Sequence, residues 1–141
     1  MAARHLAMAP IPVRQPAYAA GRCNIGPAEI ARRRRFGHAS VITTVILLAV
    51  LLLADAPAWT RLLLFLPAAG AAAGYLQAAL RFCADYGWRG VFNLDRDAAG
   101  HGNTQRVADA DARRADRRKA MLIGAGSAAL GTLVTLLALL V

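Results

Sequence analysis

CNIGPAEIARRRRFGHASVITTVILLAVLLLADAPAW, residues 23–59, runs four consecutive arginines straight into a long apolar segment. Three readings compete for it: a removable export signal, a nucleic-acid-binding arm, and the charged anchor of a membrane span. The apolar-to-neutral part, residues 39–54, is 16 residues long, slightly short of the ~20 that cross a hydrocarbon core of ~30 Å. Arg34 and Arg35 close that gap by running their aliphatic stems up to the headgroups. Arg33, Arg34, Arg35 and Phe36 also match the R-R-x-F core of a twin-arginine signal, with Ala54-Asp55-Ala56 as an A-x-A site. That reading fits less well, because a long tail and a short helix precede the run, and cleavage would leave a product that begins almost at once with another span. The anchor reading is preferred, and it removes nucleic acid as a partner, since the arginines are then committed to headgroups.

The rest of the chain repeats the pattern. A net charge of +9 and a hydrophobic content of 57% conflict in a soluble domain unless the two are segregated, and here they are. A second apolar run covers residues 62–80, LLLFLPAAGAAAGYLQAAL, and a third covers residues 120–141, 22 residues without a charge. Seven residues, 55–61, separate the first two runs, so those spans form an antiparallel hairpin. Pro67 would break a soluble helix, but a span tolerates it where neighbours satisfy the freed carbonyl. Residues 1–22 contain three prolines and no apolar period; they read as a mobile tail, with Met8 as an alternative start. Residues 25–35 read as a short helix with Gly26 as N-cap, Pro27 at its first position and Glu29 in its first turn, and Gly37 as a loose junction to the span.

Orientation follows from lysine and arginine. The turn at 55–61 holds Arg61 alone, while the N-terminal side and the 81–119 loop hold the other 16 of the 17 basic residues. The positive-inside rule then puts the N-terminus and the long loop in the cytoplasm and the C-terminus outside. Arg32, Arg33, Arg34, Arg35, Arg117, Arg118 and Lys119 are expected at anionic headgroups, with Trp59 and Trp88 as aromatic anchors.

Pro67, Gly70, Gly74, Gln77 and Arg81 recur every three or four residues and share one face of the second span. Gly70-xxx-Gly74 is a small-xxx-small pattern, and Gln77 on that face would seek an interhelical hydrogen bond. The third span offers Gly124, Ser127, Gly131 and Thr135, and the simplest packing sets the two small faces together, either within the chain or against a partner. Ser40, Thr43 and Thr44 should bond to their own backbone. No ionisable residue lies deep in a span, which argues against a pump or coupled transporter.

The 81–119 loop has an aromatic half, RFCADYGWRGVFNLD, and a basic half from Thr104. In the first, Phe82, Tyr86, Trp88 and Phe92 suggest an interfacial belt folded over CNIGPAEI, with Asp85, Asp95 and Glu29 pairing with arginines. In the second, alanines and an Asp109–Arg113 pair at i,i+4 suggest a helix running into the third span. Cys23 and Cys83 fall on the same side and are too few for a disulfide scaffold. Small packing residues are the plain reading. The alternative is a thiol-redox or metal site with His38 or His101 as added ligands, although no C-x-x-C or similar spacing supports it. No cofactor is expected otherwise.

CNIGPAEIARRRR and FCADYGWRGVFNLD, with a hairpin between them and a DRRKA-led span after, resemble a group of small bacterial three-span inner-membrane proteins without an established activity. The resemblance covers about residues 23–141 and implies architecture and no chemistry. The expectation is an all-α integral membrane protein. It is divided into a tail (1–22), a juxtamembrane helix (23–37), a transmembrane hairpin (38–80), an aromatic loop and basic helix (81–119) and a third span (120–141). Its expected role is non-catalytic, a structural or accessory subunit that packs with itself or with a larger membrane complex, with an oligomeric pore or carrier as a third reading.

Overall fold

A computed structural model describes residues 17–95 and 104–141. The chain is helical, with three helices long and apolar enough to cross a membrane. Helix α1 spans Pro27–Leu53. A 3-10 segment, Ala58–Leu64, leads into α2, Phe65–Ala79. Helix α3 is short, Ala84–Arg89. Two-residue strands β1, Val91–Phe92, and β2, Gln105–Arg106, pair antiparallel with Val91 opposite Arg106. Helix α4 spans Ala110–Leu139. At 1.5 Å per residue α1 is about 40 Å long and α4 about 45 Å, so each outruns a ~30 Å hydrocarbon core. Because α2 runs antiparallel to its neighbours, the arginine-rich starts of α1 and α4 emerge together at one end, called the basic end below.

Helix α2 is the middle of the three. It packs on α1 along one face and on α4 along another, while α1 and α4 barely touch each other. Where α1 crosses α2, a methyl group added to Gly74 would lie 2.7 Å from the Gly37 Cα and 2.8 Å from the Arg33 carbonyl oxygen, and one added to Gly70 would lie 3.3 Å from Ser40 Oγ. Gly37 is therefore a close-contact residue inside one continuous helix and not a loose junction; the boundary expected at residues 37–38 is absent. The Gly70-Gly74 face meets α1, not the small face of α4 as expected. The α4 stripe of Ser127, Gly131 and Thr135 is buried and meets another side of α2, where a Gly131 Cβ would sit 2.7 Å from the Ala69 Cβ. Gly124 belongs to neither contact: nothing lies within 4 Å of its missing side chain, because it points away from α2 while the stripe at 127, 131 and 135 points toward it.

Pro67 is the third residue of α2, and the helix reaches it without a gap from the 3-10 segment, where Phe65 N–H already donates to Leu62 O; the proline stands where 3-10 geometry gives way to α. At the end remote from the arginines, Arg61 Nη1 donates to the Ala138 carbonyl at 3.3 Å. The one basic residue of the 55–61 turn thus satisfies part of the open C-terminus of α4. Two helix exits use non-glycine residues in the left-handed region, Asp55 (φ 48°) after α1 and Arg81 (φ 51°) after α2. Both form the paired 6→1 and 5→2 bonds of a Schellman ending: Ala56 N–H to Leu51 O and Asp55 N–H to Leu52 O, then Phe82 N–H to Gln77 O and Arg81 N–H to Ala78 O. Thr43 and Thr44 donate to the carbonyls of Ala39 and Ser40, as do Ser127 and Thr135 to Ile123 and Gly131. Leu53, Leu66 and Leu122 are more than two-thirds exposed, an exterior suited to hydrocarbon.

Candidate functional site

Of the buried polar side chains among the described residues, all but Ser127 and Thr135 collect in a cap at the basic end. Its first member is Asn24, wholly inaccessible. The Asn24 Nδ2 donates to the Cys83 carbonyl at 3.0 Å and its Oδ1 accepts from the Cys83 N–H at 2.7 Å. Its backbone N–H donates to Arg81 O, and its carbonyl accepts from Asn93 N–H. One side chain and one peptide unit thereby tie the segment before α1 to the α2–α3 turn and to the end of β1, leaving no buried amide group unpaired. Asn93 O in turn accepts from Gly26 N–H, the N-cap of α1. The aromatic half of the loop does fold over CNIGPAEI, through these backbone bonds.

The second member is Asp116, also wholly inaccessible. Its two oxygens accept from the Tyr18 hydroxyl at 2.8 Å and from the Gly21 N–H at 2.7 Å, and no cation pairs with it among the described residues. Tyr18 stacks on Phe92 with ring centroids 4.7 Å apart. Burial, with the Asp116 carboxylate beside it, pushes the Tyr18 hydroxyl well above its ordinary range. Residues 17–22, expected in a mobile tail, are therefore fastened to α4; residues 1–16 lie outside the described residues.

Gln77 is buried, but it makes no interhelical bond across the spans. Its Oε1 accepts from the Ala84 N–H at 3.1 Å, one of the open donors at the start of α3, and its Nε2 donates to Ala73 O. Phe82 is in the core with Ala120 and Ile123, and a Cβ on Gly87 would sit 2.6 Å from its ring, so α3 lies directly on Phe82. Of the four aromatics expected in an interfacial belt, Phe82 is core, Tyr86 and Phe92 are half-buried, and Trp88 is exposed. Trp59 is exposed at the opposite end.

The arginine run divides between two tasks. Arg34 and Arg35 are exposed, as are Arg117 and Arg118, while Lys119 is half-buried. Arg32 and Arg33 turn inward to the buried Glu29, at 3.2 and 3.7 Å; Glu29 Oε2 has ion-pair distance to both without hydrogen-bond geometry to either. Arg33 Nη2 also donates to the Cys83 sulfur at 2.8 Å. Asp85 pairs with Arg89 on the surface, and Asp95 pairs with no arginine among the described residues. The expected Asp109–Arg113 pair is replaced by two caps. Asp109 is the N-cap of α4, accepting from Ala112 N–H at 2.7 Å, and Arg113 donates to the carbonyls of Val107 and Ala108. The helix accordingly starts at Ala110 and not at Thr104, with β2 at Gln105–Arg106 and an irregular link at 107–109 between.

Cys83 is wholly buried and Cys23 half-buried, and neither is in a disulfide. Burial raises the Cys83 thiol above its ordinary value, with backbone N–H groups and Arg33 opposing that shift. His38 is engaged elsewhere: its Nδ1 and the Tyr75 hydroxyl are hydrogen-bonded at 2.6 Å, with the rings edge to face. His101 lies outside the described residues. No group of three or more His, Cys, Asp or Glu that could hold a metal occurs among the described residues. Asn24, Asp116 and Tyr18, which hold the cap, carry no motif; the one available signal was that each is a polar residue one to four places from an apolar or small-residue run.

Comparison of the chain with protein-family models, with curated proteins and with solved structures gives no match.

Proposed function

We propose that the chain is a non-catalytic structural or accessory subunit of a bacterial inner membrane that packs with itself or with a larger membrane complex. In this reading the basic end faces the cytoplasm against anionic headgroups and the C-terminus faces outward. The observation that carries it is the use made of the cap's buried polar side chains. Asn24, Gln77 and Asp116 are each committed to backbone or tyrosine partners, which is the chemistry of a clamp. The open arrangement of the spans adds to it. Only 11% of the apolar window in α1 is buried within the chain, against 33% through α2 and 28% in α4, so α1 above all keeps a broad face for lipid or for another helix. Mass measurement of the chain released in native-lipid discs tests the reading. It predicts a defined oligomer or a fixed-stoichiometry complex; a lone monomer in every preparation would contradict it.

The thiol alternative has one contact in its favour, Arg33 on the Cys83 sulfur. It is weakened by the burial that favours the protonated thiol. An oligomeric pore has less support again, since the polar residues buried along α4, Ser127 and Thr135, are hydroxyls that donate to carbonyls of their own helix.

A further inference from the structure

The loop that closes the cap leaves a hollow of about 350 Å³ at the start of α4, lined by Arg89, Arg106, Arg113, Gly90, Val91 and Val107. Three arginines from three elements converge there, and no carboxylate is among the described lining residues. The layout is fixed by backbone. Gly90 ends α3 in the left-handed region (φ 66°), and its carbonyl accepts from Val107 N–H at 2.9 Å. The β1–β2 register places Arg106 opposite Val91. Arg113 crosses over Gly90, its Cδ 2.9 Å from where a Cβ would stand, and donates through Nη1 to Val107 O and Ala108 O. Its remaining guanidinium N–H groups stay available to a ligand.

The charges are placed against their local preference. Cations are disfavoured in the first turn of a helix, where the backbone dipole is already positive, yet Arg113 occupies that turn and Arg106 stands just before it. Arg89 has a partner in Asp85 at 3.4 Å, but both are largely exposed, so the pair is screened and weak. Arg106 has no ion pair or side-chain hydrogen bond among the described residues. We propose that this hollow binds a phosphate group. Guanidinium forks match phosphate oxygens two at a time, and Gly90 with the two valines gives a close, apolar floor. Arg113 stands seven residues before Ala120, where the apolar run begins, about 10 Å along the helix axis. That is just outside a headgroup layer of ~5–8 Å, within side-chain reach of a phosphate on a lipid headgroup or on a soluble molecule. The site does not depend on the chain having a protein partner.

Two arms separate the sources, both with the full chain in discs of phosphatidylcholine. In the first, inorganic phosphate and pyrophosphate are titrated in against chloride by calorimetry. In the second, phosphatidic acid is mixed into the disc and the lipid retained on the protein is counted by native mass spectrometry. Arg106→Gln, chosen because its side chain holds nothing else in place, should weaken binding by roughly tenfold or more. Arg114→Gln removes the same charge from the next residue along α4, outside the hollow, and should change binding less than about twofold. Variant-sensitive binding in the soluble arm assigns the site to free phosphate, in the lipid arm to a headgroup, and in both to either source. Phosphate and phosphatidic acid binding no better than chloride and phosphatidylcholine, or equal losses in the two variants, would overturn the proposal.

Discussion

Where α1 crosses α2, two glycines let backbone meet backbone; at the basic end, an asparagine and an aspartate are buried to hold backbone that nothing else would pair. The two regions solve different problems. In the apolar half lipid tails compete with any side chain, so burial of carbon gives little preference for helix over lipid. What remains is close dispersion contact, for which small residues are required. At the basic end α1 and α4 begin, α2 ends and the short α3 lies between, and these helix ends expose N–H or C=O groups that water or a side chain must satisfy. Asn24 and Asp116 do this from positions 59 and 95 residues away from their partners Cys83 and Gly21. The apolar half is thus set by what is absent from Gly37, Gly74 and Gly131, and the cap by what two polar side chains supply.

The strongest way to break this contrast is at Asp116. Asp116→Ala removes the acceptor of both the Tyr18 hydroxyl and the Gly21 N–H and should cost about 3 kcal/mol, read as lost hydrogen-exchange protection over residues 17–24 while the spans stay protected. Next comes the apolar half. Gly74→Ala drives a methyl into backbone atoms that cannot yield and should cost about 2 kcal/mol in reversible unfolding from detergent. Gly124→Ala, facing open space, should stay within about 0.5 kcal/mol. Equal effects at the two glycines would remove the packing argument.

Alkali should act on the cap and not on the glycine contacts. Burial raises Cys83 and Tyr18, so the folded state holds their protons more tightly than the unfolded chain. The stability they contribute is complete below the ordinary thiol value of about 8.5 and is lost as pH rises above it, with the tyrosine following above about 10. Alkylation of Cys83 should therefore be slow at neutral pH beside that of Cys23, and should quicken together with the loss of protection at residues 17–24. A small effect of opposite sign is expected at a helix exit: Asp55→Gly relieves a left-handed non-glycine residue and should stabilise by about 0.5–1 kcal/mol.

The division between the regions also decides what could be read from sequence. Length and polarity of a run depend on its own residues, so the three helices and the charge asymmetry were legible. The Gly70-Gly74 spacing gave a face but not its neighbour. A helix in the middle of three has two partners, and α2 offers Gly70 and Gly74 to one and Ala69 to the other. The cap was illegible for a further reason. Asn24, Asp116 and Tyr18 carry no spacing or motif that marks them, and their partners are backbone groups or side chains up to 98 residues distant. Arg33 was one of four like residues in a row; only the turn of α1 that carries Glu29 distinguishes it from Arg34 and Arg35. The loop's reading as a helix from Thr104 failed at Asp109, whose side chain is an N-cap and so marks a start.

The account stands or falls on an odd number of crossings that leave the basic end and Val141 on opposite sides of a bilayer. Gln105→Cys and Val141→Cys, each placed singly in a Cys23→Ser background that retains the buried Cys83, can be probed in sealed cells with a membrane-impermeant maleimide. The prediction is that the cysteine at 141 reacts from outside and the cysteine at 105 only after the membrane is opened. Reaction of both from the same side would contradict it.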